Sequence, residues 1–131
     1  MHSAIDEVVR QHVFIEAWMS GAAVEDGGWD TFARALADDF VIVPPSGVAE
    51  PKATLLDRFH PARNVAPGVV VEIRNAVHVL RTPELEVVRY EEWQLHDERG
   101  NQRVSTAVFR ADDAAPLGWS WVTLHETALP A

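Results

Sequence analysis

The feature that most constrains the fold is a change in hydrophobic spacing near residue 69. Before it, apolar residues recur every three or four positions, as on one face of a helix; after it they alternate as in strands. Helices followed by a run of strands with short turns favour an α+β domain over a parallel sheet. Because 131 residues suffice for one hydrophobic core, we predict a single domain over residues 1–131.

Three helices are predicted before this change. Ser3 and Asp6 can cap the first helix, because both accept from the free N–H groups of its first turn, and Ser20-Gly21 ends it. The spacing of apolar residues over Trp29–Leu36 predicts a short second helix. Pro51 suits the first turn of a third.

Five strands are predicted, one short and four long. The short strand is Phe40–Val43, which Pro44-Pro45 must end. The long strands are Val69–Leu80, Glu86–His96, Arg103–Arg110 and Trp119–Thr127.

Composition and charge exclude several classes of function. The formal charge is −9 and the 11 basic residues are dispersed, so neither nucleic acid nor an anionic membrane surface is an expected partner. No apolar run approaches the roughly 20 residues that span a bilayer, and the first residues do not resemble a secretory signal, so we expect a cytoplasmic protein. The chain has no cysteine and no metal-ligand spacing among its six histidines, so no metal or cofactor is expected.

Two short motifs resemble a known superfamily. Leu36–Ile42 (LADDFVI) is similar to its passage from second helix to first strand, and Trp119–His125 (WSWVTLH) resembles its closing strand. Together with the order of helices and strands, these two motifs make the chain resemble the nuclear-transport-factor-2-like superfamily, in its SnoaL-like and ketosteroid-isomerase-like branch. The resemblance implies three helices packed on a curved antiparallel sheet, a cone-like α+β barrel enclosing a pocket.

The chain departs from the isomerases where their chemistry occurs. The resemblance aligns Phe14 with a tyrosine that polarises the substrate carbonyl, and Pro44 with the general-base aspartate. Neither side chain donates a hydrogen bond or accepts a proton, so that isomerase chemistry is not expected.

Strand alternation predicts a polar cluster on one face of the sheet. The resemblance of His125 to the pocket-facing histidine of the SnoaL-like closing strand implies that this face is the concave one. We expect His125 and Glu92 to be the candidate catalytic residues, because an imidazole suits proton transfer near neutrality and burial can raise the pKa of a carboxyl. This grouping assumes regular pairing, which a shift of one residue would undo. The candidate ligand-binding residues are Phe14, Trp18, Tyr90, Gln94, Arg103, Ser105, Trp121 and Thr123.

Two functions remain open. One is a cofactor-free acid–base enzyme of the SnoaL-like lyase, isomerase or cyclase type, acting on a small, apolar, oxygen-bearing molecule. The other is a non-catalytic ligand-binding or dimerisation domain. A free Glu92 beside His125 favours chemistry, whereas a Glu92 paired with Arg103 favours a scaffold.

The outer sheet face is predicted to be apolar. Val104, Val108, Val122, Leu124 and Trp93 share it if the strands alternate regularly. Because a large apolar surface is unfavourable in water, this pattern favours a homodimer that buries the outer face.

Overall fold

A computed structural model describes residues 2–96 and 99–130. Its elements, in order, are α1 (Ala4–Ser20), α2 (Gly28–Arg34), β1 (Leu36–Val43), β2 (Glu50–Pro51), α3 (Lys52–Phe59), a 3₁₀ turn (His60–Ala62), β3 (Val70–Arg81), β4 (Leu85–His96), β5 (Arg99–Ala111) and β6 (Trp119–Ala128). The six strands form one sheet in the order β2-β1-β6-β5-β4-β3. The predicted α+β class, with three helices on a curved sheet, is confirmed.

The sheet differs from the prediction in a sixth strand, the two-residue β2 that pairs with β1, and in the direction of one pairing. Strands β3 to β6 form an antiparallel meander, but β1 pairs with β6 in parallel, so the sheet is mixed. Strand β1 also begins at Leu36 instead of Phe40, because α2 ends at Arg34 and buried Leu36 already belongs to the sheet.

The first helix forms where its end signals predict. The Ser3 N–H donates to Asp6 Oδ2 at 3.0 Å, which satisfies a backbone donor outside the helix. Gly21 ends the helix with a φ of 81°, a conformation that glycine adopts without steric cost. Along its buried side, α1 places Val8, Gln11 and His12 toward the sheet.

A register shift in β6 decides which residues face the helices. Val108 pairs with Thr123 and Phe109 pairs with Trp121, so β6 contains one extra residue at this point. Such a bulge reverses the alternation of side chains beyond it. Consequently Trp121, Leu124 and Glu126 are all buried.

Within the described part of the chain, no helix is both long enough and apolar enough to cross a membrane.

Candidate functional site

A cavity of about 340 Å³ lies between the helices and the concave face of the sheet. Its apolar wall includes Ile15 and Met19 from α1, Leu55 and Phe59 from α3, and Phe40 and Leu124 from the sheet. Its polar lining consists of Gln11, His12, Arg58, Glu92, Gln94, Asn101, Arg103 and Glu126. Cavities of this size with apolar walls and a few grouped polar side chains are typical of small-molecule sites.

A buried histidine–carboxylate pair forms part of the polar lining. His12 Nδ1 donates to the Val8 carbonyl at 2.7 Å, and His12 Nε2 lies 3.0 Å from Glu92 Oε1. Burial lowers the pKa of His12, but the Glu92 carboxylate and the Val8 carbonyl outweigh it, so the pKa is raised. Because each ring nitrogen faces an acceptor, both act as donors, which is the hydrogen-bonding pattern of the protonated ring.

Glu92 carries the matching negative charge. Its second oxygen, Oε2, accepts from Gln94 Nε2 at 2.5 Å. Burial raises the pKa of Glu92, but the positive charge and hydrogen bond of His12, followed by the Gln94 donor, lower it to about 2. Both oxygens of Glu92 are thus engaged by protein donors, and it is a poor base in this state.

A second buried ion pair lies beside the first. Arg103 Nη1 donates to Glu126 Oε1 at 3.1 Å, and the two side chains are 16% and 5% exposed. Burial and the nearby Glu92 carboxylate raise the pKa of Glu126, although Arg103 opposes this. Among the described residues nothing donates a hydrogen bond to Glu126 Oε2, so this oxygen is available at the cavity.

Four of the ten predicted site residues line the cavity. These are Glu92, Gln94, Arg103 and Trp121. Tyr90 and Ser105 are register partners on β4 and β5 and are buried on the same face, but they do not line the cavity. Glu92 pairs with His12 instead of Arg103, so the alternative pairing considered from the sequence is also absent.

Two predicted residues lie on the wrong face of the sheet. His125 is exposed and Thr123 donates to the Val41 carbonyl, and both line a groove on the outer face. The prediction that they join the concave cluster is wrong, because the bulge in β6 turns them outward. The same bulge makes Leu124 part of the cavity wall instead of the outer face.

Phe14 and Trp18 belong to an aromatic cluster outside the cavity lining. Their rings stack with centroids 5.5 Å apart, and Phe14 also stacks on Phe32 at 5.0 Å. Trp18 Nε1 donates to the Phe59 carbonyl, which ties α1 to the end of α3. Their predicted place in the ligand site is not observed; they pack α1 against α2 and α3.

Sequence reasoning missed Gln11, His12 and Glu126. A usable signal was present in α1, where Val8, Ile15 and Met19 define an apolar stripe and the polar pair of Gln11 and His12 interrupts it. Polar residues inside a buried helix face need partners, which points to a polar cluster opposite them. Glu126 had no such signal, because its direction depends on the bulge.

Comparison with solved structures identifies the fold. The chain superposes on an NTF2-like protein of unknown function from Pseudomonas aeruginosa with a TM-score of 0.88 and 28% identity, covering 97% of this chain and 98% of the other. An NTF2-like protein of unknown function in nutrient uptake from Rhodospirillum rubrum gives a TM-score of 0.68 at 21% identity, covering 98% of this chain and 100% of the other. A calmodulin-dependent kinase II hub from S. rosetta gives 0.71 at 15% identity, covering 98% of each chain. No protein-family model matches the sequence, and neither does any curated protein.

Proposed function

This chain has the nuclear-transport-factor-2-like fold, and we propose that it binds a small, largely apolar, oxygen-bearing molecule in the cavity between helices and sheet. The observation that carries this proposal is the division of the cavity lining. Apolar side chains from α1, α3 and β6 surround most of the space, while two ion pairs occupy its polar part. The apolar wall supplies affinity, and the few polar groups orient the ligand.

The geometry supports binding more than catalysis by the predicted pair. His125 is on the outer face, and both oxygens of Glu92 are engaged by His12 and Gln94. A second candidate function is acid–base chemistry by Glu126, which has one oxygen without a partner among the described residues and a raised pKa. Incubating any bound compound with wild type and Glu126→Gln, and following its conversion, distinguishes the two functions.

Ligand binding should be visible as a rise in the unfolding temperature. A panel of one- and two-ring aromatic carbonyl and phenolic compounds suits the size of the cavity. At about 100 times its dissociation constant, a ligand stabilises the folded state by ~2.7 kcal/mol, which raises the Tm of a domain this size by roughly 10 °C. Leu55→Trp fills the cavity from α3 and should reduce this shift by more than half.

Val48→Ala is the matched control for this experiment, because it alters an exposed loop side chain outside both the cavity and the outer-face groove. We expect it to leave the shift unchanged. If no compound stabilises the wild type, or if Leu55→Trp binds as well as wild type does, the cavity is not a ligand site.

We also propose that a second copy of the chain covers the outer face of the sheet. Val104 and Val108 line the groove there with His125. Val41, on the neighbouring strand β1, is 37% exposed. The similarity to a kinase hub supports self-association. Contiguous apolar patches on a protein surface mark interaction sites. The groove is more mixed than the sequence predicted, because Arg89, Thr106 and Thr127 also line it.

Sedimentation equilibrium should give twice the chain mass of 14.6 kDa for the wild type. Val108→Glu places a carboxylate from each copy in the proposed interface and should shift the protein to monomer. Val48→Glu, in a loop where Val48 is 67% exposed, is the control and should remain dimeric. A monomeric wild type would show that this face is not an interface.

A further inference from the structure

The two ion pairs in the cavity balance each other's charge. When both pairs are ionised, His12 and Arg103 supply two positive charges, and Glu92 and Glu126 supply two negative ones. All four side chains are at most 16% exposed, so they sit in a medium where an extra charge is costly. A ligand with a net charge has no unpaired counter-charge to meet at this end of the cavity.

The two pairs differ in what they leave free. The His12–Glu92 pair has no free polar atom. His12 Nδ1 donates to the Val8 carbonyl, His12 Nε2 donates to Glu92 Oε1, and Gln94 donates to Glu92 Oε2. The Arg103–Glu126 pair is joined by one hydrogen bond, between Nη1 and Oε1. Among the described residues, Arg103 Nε, Arg103 Nη2 and Glu126 Oε2 have no hydrogen-bond partner, and both side chains line the cavity.

A free guanidinium donor beside a free carboxylate oxygen has a defined hydrogen-bonding pattern. The donor satisfies an acceptor on the ligand, and the oxygen satisfies a donor. A neutral carboxamide presents these two groups side by side, as a carbonyl and an N–H. Hydrogen bonds to charged partners are stronger than those between neutral groups, so the pattern is selective.

We propose that the cavity selects a neutral, amide-type ligand, whose carbonyl accepts from Arg103 and whose N–H donates to Glu126. The apolar body of such a ligand lies against α1 and α3. This inference rests on the proposed function, because it names the ligand class of the same cavity. Arg103 and Glu126 are then the specificity-determining residues.

Three compounds with one naphthalene body test the charge requirement: 2-naphthamide, 2-naphthoate and 2-(aminomethyl)naphthalene. Their affinities are measured by isothermal titration calorimetry at pH 7. We expect wild type to bind the amide at least about tenfold more tightly than either ion, a difference of about 1.4 kcal/mol.

Two charge-removing variants make the test specific. Glu126→Gln leaves Arg103 uncompensated and should shift the preference toward 2-naphthoate. Arg103→Gln leaves Glu126 uncompensated and should shift it toward the amine. A purely structural role would weaken all three compounds alike. Arg89→Gln and Glu91→Gln, on the outer face of β4, are the controls and should keep the wild-type order.

The outcomes separate this inference from the function on which it rests. If wild type prefers 2-naphthoate or the amine, or if the variants leave the order of affinities unchanged, the amide-type assignment is overturned while ligand binding stands. If none of the three binds but another aromatic compound stabilises the fold, the assignment also fails. If nothing binds at all, the proposed function and this inference fail together.

Discussion

His12→Leu is expected to lower the free energy of unfolding by about 3–5 kcal/mol, because it leaves the Glu92 carboxylate buried without its cationic partner. Glu92 is 6% exposed on its side chain and keeps only the Gln94 hydrogen bond and the more distant charge of Arg103. Urea unfolding at pH 6 measures the loss. Arg110→Leu breaks an exposed pair with Asp39 and should cost less than about 1 kcal/mol.

The double variant His12→Leu/Glu92→Leu tests whether the stability lost in His12→Leu comes from the unpaired charge of Glu92. Removing both charges eliminates the uncompensated carboxylate, so the double variant should recover at least half of the stability lost in His12→Leu. If it is as unstable as the sum of the two single variants, the loss comes from packing and not from an unpaired charge.

The pH dependence of stability gives a second check on the same pair. The pKa of Glu92 falls from 4.5 to about 2 on folding, so its contribution is present above pH 4.5 and is lost as the pH falls toward 2. The raised pKa of His12 gives a contribution that is complete below pH 6.5 and is lost as the pH rises through the folded-state value. The effect of His12→Leu should therefore be larger at pH 6 than at pH 9. Equal effects at the two values would show that His12 is uncharged.

Trp121→Ala should be the most damaging single truncation in the core, with an expected loss of about 3–5 kcal/mol. Trp121 is 2% exposed, and its ring lies 4.5 Å from that of Phe109, centroid to centroid. Its Nε1 also donates to Glu7 Oε2 at 2.8 Å, which joins β6 to α1. The truncation removes the packing and a hydrogen bond to a fully buried carboxylate.

Trp121→Phe separates these two contributions. Phenylalanine keeps much of the apolar contact but lacks the N–H, while Arg10 still holds Glu7 at 2.8 Å, so we expect a loss of about 1–3 kcal/mol. Trp93→Ala, at a half-buried position on β4, is the control and should cost less than Trp121→Ala. Thermal and urea unfolding should agree on this order. Equal losses for Trp93→Ala and Trp121→Ala would contradict the assignment of Trp121 to the core.

Much of the fold was predictable because its signals are local. Ser3, Asp6 and Gly21 mark the ends of α1 through backbone hydrogen bonds and a positive φ that do not depend on the rest of the chain. Alternating apolar residues likewise place the four long strands within a few residues of their observed bounds. The parallel pairing of β1 with β6 was not predictable in this way, because it joins residues far apart in sequence.

The candidate site shows the same division at the level of single residues. The sequence by itself determined that Glu92 and Gln94 share one face of β4, because side chains alternate along a strand. That Arg103 joins them at the cavity follows from the unshifted pairing of β4 with β5, which the structure shows. Only the tertiary structure decided that Glu126 faces inward and His125 outward, since one extra residue in β6 reverses the alternation. Strand periodicity is a property of the chain, whereas a bulge is fixed by how the neighbouring strand and the helices pack against it.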